Sequence, residues 1–528
     1  MKKIKKYLFI AMVLVLMLLL PQMVRADQSW VLGCPLLSEE DAQRRLAGTS
    51  LCEPEGRLLW NNHPLPYDGL SGSYGLPQRA GTEEWEGNLQ WEDRSGEIHR
   101  LYAVGENWSD KDRSIREALP LKVCAVARDS RAELTLVATG LPMMELHTEM
   151  AAAEQEEDSQ GELRLFWPDS ESREQQYTHS RAVYHVRGFS SLSYDKKNFR
   201  LTLKDRNGGS RNENLLGLRD DDDWKLYSMA LDPTLIREKL ANDLWNQLAA
   251  ENGSPTGNQM EFLELYKDGE YEGVYMLAPR LDRKTYQLGP DGRLYKYSRI
   301  VDLWAPYALN TFDNKGIINW DDRVKVLWPR EPVEGIWGPL NQYFGQFFYK
   351  NGKHATMEEG IAMTDLTNLV ETALFKQAVS SVDCGKGYNM MYLQYAPGEK
   401  LYRIPYDIDR VFGIGDEFTE EAYVENIVED LELRALLRLD PELAQEEISR
   451  GWSHLREGAF EQDAFAERWH SLQEEVLHTG GVAHNCSRWG GTVGETLAES
   501  EQLLSWHQEH LRYLDDYVQA YQPPATED

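Results

Sequence analysis

Apolar positions in the middle of this chain switch between period two and period 3.6, and the switches mark out an order of elements. In RAVYHVRGFSSLSYDKKNFRLTLK two alternating runs flank a polar loop, which predicts strand, loop, strand. Lys197, Phe199, Leu201 and Leu203 share one face of the second strand, so Lys197 is expected to point with the apolar side. Asp232-Pro233 reads as a helix start, a capping acid followed by proline at the first helical position, with Ile236, Leu240, Leu244 and Leu248 as the buried stripe. Glu261 to Leu277 predicts a hairpin turning at Lys267-Asp268-Gly269-Glu270, and the chain is expected to leave the sheet over Met276 to Pro279. Asp365 caps a further helix with Leu366, Leu369, Val370, Ala373 and Leu374 at helical spacing, fading near Val382. MMYLQY and LYRIPY, on either side of APGEK, predict a second hairpin.

The flanking regions carry less chemistry. Residues 27–138 alternate short apolar runs with Gly, Pro and Asn turns and read as a small β-rich accessory region. Ala151 to Gly161 is polar and acid-rich, an exposed loop. Lys2, Lys3, Lys5 and Lys6 precede an apolar run from Tyr7 to Leu20, and Val24-Arg25-Ala26 offers small residues for cleavage, so residues 1–26 are expected to be a signal peptide. The protein is then secreted or held at the cell surface, an uncleaved N-terminal anchor being the second reading. A net charge of −31 argues against binding nucleic acid or an anionic membrane, since phosphates would be repelled. Five cysteines are too few for a disulfide scaffold, although an oxidising exterior permits a bridge such as Cys34 to Cys52. The twelve histidines show no paired metal spacing, which argues against a zinc hydrolase.

Candidate chemistry gathers at the element ends. Asp383 and Asn389 in DCGKGYN stand just before the second hairpin, and Asp407-Ile408-Asp409 just after it. Phosphoryl transfer needs this set: one carboxylate orients the acceptor hydroxyl, while an amide and a second carboxylate hold the divalent ions on the nucleotide phosphates. The same acids are also suited to a structural ion-pair network with Arg403 and Arg410. Lys197 is either a snorkelling edge residue or a phosphate ligand directed into a cleft. Asp243 lies on the buried helix stripe and needs a cation, whereas Glu238 points to the opposite side; Asp243 is therefore the candidate partner of Lys197, an ordinary ion pair being the alternative. Arg187-Gly188-Phe189-Ser190-Ser191 offers backbone N–H groups to phosphates.

At RGFSS…KKNFRLTLK, GLRDDDDWKLYSMALDPTLIREKLANDLW, ELYKDGEYEGVYML and IPYDIDRVFG the chain resembles the spore-coat protein H (CotH) kinase family, over about Gly140 to Trp489. The resemblance implies an α+β fold, an atypical two-lobed protein-kinase-like domain over 139–528 with its N-lobe at about 139–280 and its C-lobe at about 281–528. It implies ATP-dependent phosphorylation of Ser residues on exported or surface proteins, with Mg²⁺ or Mn²⁺. By position, Lys197 would contact the ATP phosphates, Asp383 would be the catalytic acid, and Asn389 and Asp407 would hold metal, with Asp409 a second candidate ligand. Arg187, Ser190, Asp243 and Met276 complete the expected nucleotide site. The chain departs from the pattern at Pro279, where such sequences often carry an acid, and at Cys384-Gly385-Lys386 after Asp383; it also has no GxGxxG loop. Two further readings stay open, an inactive surface adhesion or scaffold protein on the same fold and a nucleotidyl or glutamyl transferase using ATP.

Overall fold

The computed structural model describes residues 29–520 except 155–156, 169–174, 189, 298–318, 321–323, 332, 348–361, 388 and 415–422. The expected signal peptide lies outside the described residues. Trp30 to Thr139 form an 11-stranded sheet. Its inner strands Pro120–Ala127 and Ser130–Thr139 alternate as half-buried strands should, burying Leu121, Val123 and Ala125 against Leu134, Leu136 and Ala138. All five cysteines are free thiols, so the Cys34–Cys52 bridge is absent.

Seven strands then close into a barrel: β1 (Met143–Met150), β2 (Ser159–Pro168), β3 (Gln175–Arg187), β4 (Asn198–Lys204), β5 (Asp223–Tyr227), β6 (Glu261–Lys267) and β7 (Glu270–Pro279). The spatial order is β1-β2-β3-β4-β5-β7-β6, and parallel pairing of β1 with β6 closes the ring. Phe199, Leu201 and Leu203 of β4 fill the barrel interior with Leu163, Leu165, Trp224 and Leu277. Asn198, Arg200, Thr202 and Lys204 therefore face outward, toward the rest of the molecule. This corrects the expectation for Lys197: the apolar face belongs to the barrel interior, and Lys197 precedes the strand altogether.

Between β5 and β6 runs helix α1 (Arg237–Asn252). It starts later than the Asp232-Pro233 signal suggests, because Asp232 accepts from the Thr234 and Arg237 amides in a separate turn. β7 remains paired through Pro279, opposite Trp224, so the chain leaves the sheet at Arg280 rather than over Met276 to Pro279.

The C-terminal part holds a five-stranded sheet with β8 (Arg293–Tyr297), β9 (Val324–Trp328), β10 (Met390–Gln394) and β11 (Tyr402–Pro405). Helices α2 (Leu366–Ala378), α3 (Pro441–Glu457), α4 (Gln462–His478), α5 (Gly481–Trp489) and α6 (Val493–Gln519) enclose the largest apolar core, which α1 joins through Trp245 against Phe375. Helix α5 fastens the barrel edge: Asn485 Oδ1 accepts from the Val274 amide and from Lys196 Nζ, and Trp489 Nε1 donates to the Glu272 carbonyl. Gly273 between them has φ +100°, and a Cβ there would sit 2.6 Å from Asn485 Oδ1, so only glycine fits. Glu264, fully buried on β6, accepts from Thr139 Oγ1 and Tyr271 OH and lies 2.9 Å from His484 Nδ1. One carboxylate thus joins the N-terminal sheet, the barrel and α5.

Candidate active site

Asp383 sits in the short 3-10 helix Val382–Gly387 after α2, held from behind by a buried network. Lys376 of α2 donates to the Cys384 carbonyl at 3.1 Å and pairs with Asp430, which Arg403 of β11 also grips. All three side chains are almost completely buried. Burial works against an ionised Asp430, but Arg403 and Lys376 override it and hold its carboxyl well below the usual range. The expected network of Arg403 and Arg410 with the site acids is half present: Arg403 serves Asp430, while Arg410 Nη1 lies 3.2 Å from Asp383 Oδ1.

The β10–β11 hairpin brings the other acids to Asp383. Met390 pairs with Pro405, and one step further the Tyr406 amide donates to the Asn389 carbonyl at 2.9 Å, so Asn389 and Asp407 flank the hairpin's open end. Both take left-handed backbone, φ 48° and 58°, a conformation Asn and Asp adopt more readily than other side chains. Asp409 follows, an exposed residue that also lines the cavity. Burial, then Asp407 and Asp383, push its pKa up to about 7. Because the side chain keeps solvent contact, the repulsion from the two neighbouring acids is the part of that shift a cation would cancel.

Glu238 of α1 lines the same cavity as Asp407 and Asp409, together with Ser191, Asn198 and Tyr227. Burial and the negative charges of Asp409 and Asp407 raise its pKa well above the ordinary value. This reverses the choice between the two helix acids. Asp243 pairs with Lys239 one turn away at 3.4 Å and does not meet Lys197. Since α1 is buried on most sides, including at Arg237, Glu238 and Lys239, its apolar stripe does not reveal which side faces the cleft.

Cations lie close to these acids, beside the cavity. Arg187, at the end of β3, is largely buried, its side chain 17% exposed, with Nη2 3.8 Å from Asp407 Oδ1 and its guanidinium over the Tyr227 ring. Its Nη1 is buried without a hydrogen-bond partner among the described residues. Lys225 of β5, which sequence reasoning missed, is buried with Nζ 3.2 Å from Tyr406 OH and 3.4 Å from Tyr227 OH. Burial brings its pKa down to about 8. The phenol of Tyr406 is disfavoured as an anion by burial, yet Lys225 and Lys296 beside it bring its pKa down to about 7. The signal for Lys225 was the alternation Asp223, Lys225, Tyr227 on the face opposite Trp224 and Leu226, hidden by the acid run before it. In that run Asp223 pairs with Arg200 and Arg280, and Asp221 and Asp222 with Lys284.

The remaining expected site residues lie elsewhere. Lys197 donates to the Leu192 carbonyl at 2.7 Å within its own loop. Lys196 is the buried one of the pair, donating to the Val274 carbonyl and Asn485. Met276 is fully buried in the main core opposite Tyr227. Ser190 opens the short helical turn Ser190–Ser193. Gly188 before it has φ +130°, and a Cβ there would meet Ser191 Oγ at 1.9 Å, so the loop needs glycine to fold back over the cavity.

Asp407 and Asp383 act on Asp409, and Asp407 and Asp409 on Glu238, a concentration of negative charge whose chemistry suits a divalent cation, while a buried guanidinium nitrogen without a partner among the described residues, beside a buried lysine, suits phosphate oxygens. Comparison with known families agrees with this chemistry: the family described as CotH kinase protein matches residues 184–520. No curated protein matches the chain.

Proposed function

The chain belongs to the CotH kinase family, and from that premise we propose that it is an exported, ATP-dependent protein kinase that phosphorylates Ser residues of exported or surface proteins. The observation that carries the reading is the cavity lined by Asp407, Asp409 and Glu238, with Arg187 3.8 Å from Asp407 and with Lys225 and Asp383 close enough for their charges to act on these acids. The order of elements supports it: strand, loop, strand, lysine strand, helix with an inward acid, hairpin, catalytic loop, hairpin and metal acid follow the order of a two-lobed kinase. In that order Lys225 takes the place of the phosphate-binding lysine and Glu238 that of its helix acid, so these two replace Lys197 and Asp243 in the proposed site.

Asp383 orients the Ser hydroxyl and accepts its proton, with Arg410 fixing the carboxylate's direction. Asn389 and Asp407 would hold Mg²⁺ or Mn²⁺, with Asp409 as a further ligand. When bound, the ion neutralises charge developing on the transferred phosphoryl oxygens. Arg187 and Lys225 bind the phosphates from the barrel side. Glu238 stands beside both the metal acids and Lys225, where it limits how far either charge set can shift. The basic and apolar N-terminal pattern read as a signal peptide supports a reaction outside the cytoplasm.

Incubation of the purified protein with ATP, Mg²⁺ or Mn²⁺ and a library of Ser-containing peptides, read by mass spectrometry, tests the reading. A gain of one phosphate on peptide or protein supports it. A gain of one AMP or of glutamate points to transfer chemistry of another kind, and no modification under any condition sinks the kinase.

A further inference from the structure

The cations gathered around Tyr406, beside the cavity, include one lysine that the roles above do not use. Lys296 comes from β8, in the C-terminal sheet, where it pairs with Met391. Its ammonium lies 4.1 Å from the centroid of the Tyr406 ring. Lys225 reaches the same ring from the barrel, 4.8 Å from the centroid and 3.2 Å from the phenolic oxygen. One tyrosine therefore sits between two ammonium groups supplied by two different sheets.

The charge around them is unusual for this chain. Asp and Glu number 87 against 56 Lys and Arg, so a lysine inside the molecule has abundant acids to pair with, as Lys376 does. Among the described residues neither Lys225 nor Lys296 forms a carboxylate ion pair; their contacts are phenols. Arg187, beside them, keeps a buried nitrogen without a partner among those residues. Arg187 has Asp407 at 3.8 Å, but neither lysine has a carboxylate ion pair, so an anion of several charges would satisfy the three cations better than one of a single charge.

We propose that Lys296 is a second phosphate-binding lysine, and that Tyr406 is a positioning residue holding Lys296 and Lys225 at the polyphosphate end of the nucleotide, so that the site selects by phosphate number. The inference rests on the cavity being the nucleotide site. The phenolic oxygen accepts from Lys225 while the ring face attracts Lys296, which keeps two like charges within reach of one ligand. Tyr406 also precedes Asp407 in the chain, so one backbone segment fixes the lysines and the metal carboxylate in a common register.

Calorimetric titration of the full-length protein with Mg·ATP, Mg·ADP and Mg·AMP tests this in the wild type, Lys296→Gln, Lys296→Arg and Tyr406→Phe. Lys296→Gln should weaken ATP by about tenfold, ADP less and AMP hardly at all, the loss expected for one charged hydrogen bond. Lys296→Arg should recover most of it. Tyr406→Phe keeps the ring but removes the acceptor, and should raise KM for ATP about fivefold with little change in kcat. If the wild type binds no nucleotide, the reading of the site fails and this inference with it. If the wild type binds ATP but Lys296→Gln binds it equally well, or loses all three nucleotides equally, this inference alone is overturned. Lys296→Met carries the same test should the Gln variant not fold.

Discussion

Replacing Lys196 by Met should make the stability of this protein less dependent on pH, and the size of the change follows from where the ammonium sits. Lys196 is only 6% exposed; it donates to the Val274 carbonyl at 2.7 Å and to Asn485 Oδ1 at 3.0 Å, and lies 5.0 Å from the centre of the Tyr275 ring. Burial lowers its pKa to about 7, against the opposing pull of Glu272 and Asp232. In the unfolded chain a lysine titrates near 10.4, so between about pH 7 and 10 the unfolded state binds more protons and stability rises with pH. Below pH 7 both states are protonated and the cost of burying the charge is carried in full. At about 1.36 kcal/mol per unit, the wild type should gain about 3 kcal/mol over Lys196→Met between pH 6.5 and 9.5. Near pH 6.5 the two should be similar, because the variant loses two hydrogen bonds but no longer buries an ammonium. Urea unfolding followed by tryptophan fluorescence at a series of pH values measures this, with Lys197→Met as the control that shifts by a constant, small amount. Parallel pH profiles for wild type and Lys196→Met would refute the reasoning.

The other predictions concern the site and its support. Asp407→Ala should abolish metal-dependent nucleotide binding while circular dichroism stays unchanged, and unaltered ATP affinity in calorimetry would remove Asp407 from the site. Asp383→Asn should bind ATP yet transfer phosphate orders of magnitude more slowly, which single-turnover kinetics would show. Lys225→Met should weaken Mg·ATP by about 10- to 100-fold without lowering the thermal midpoint, since it removes a buried charge; a wild-type dissociation constant refutes its role. Asp430→Asn strands Lys376 and Arg403 and should cost about 3–5 kcal/mol in chemical denaturation. The same carboxylate, held below its ordinary range in the folded state, stabilises the wild type above about pH 4 and loses that contribution as the pH falls further.

Local signals survived translation into structure, and relations set by distant chain segments did not. Asp365 does cap its helix, accepting from the Asn368 amide, and the MMYLQY and LYRIPY runs do pair across their turn, because each depends on neighbours within a few residues. The grouping of Asn389 and Asp407 was legible for the same reason, the two being joined by one hairpin. Which face of β4 meets the cleft was not: barrel closure between β1 and β6 turned the apolar side inward and left the polar side to the site. Glu238 was passed over because an amphipathic stripe identifies a buried face only when another face is exposed, and α1 has little exposed face. Lys225 was missed because its unpaired charge becomes visible only when Tyr406, 181 residues away, is placed beside it.

The Glu264 junction sets an order on the making of this protein. His484 lies 220 residues downstream of Glu264, and Asn485 lies 289 residues downstream of Lys196. At about 5–20 residues per second, a ribosome needs roughly 10–45 s to pass from Glu264 to His484. Once Pro279 has been added every barrel strand has been synthesised, yet for the rest of that interval the edge at Gly273 has no Asn485 against it and the central carboxylate lacks one of its partners. A nascent chain therefore carries an open sheet edge until its final helices emerge, and a message truncated before Gly481 yields a product that exposes this edge permanently.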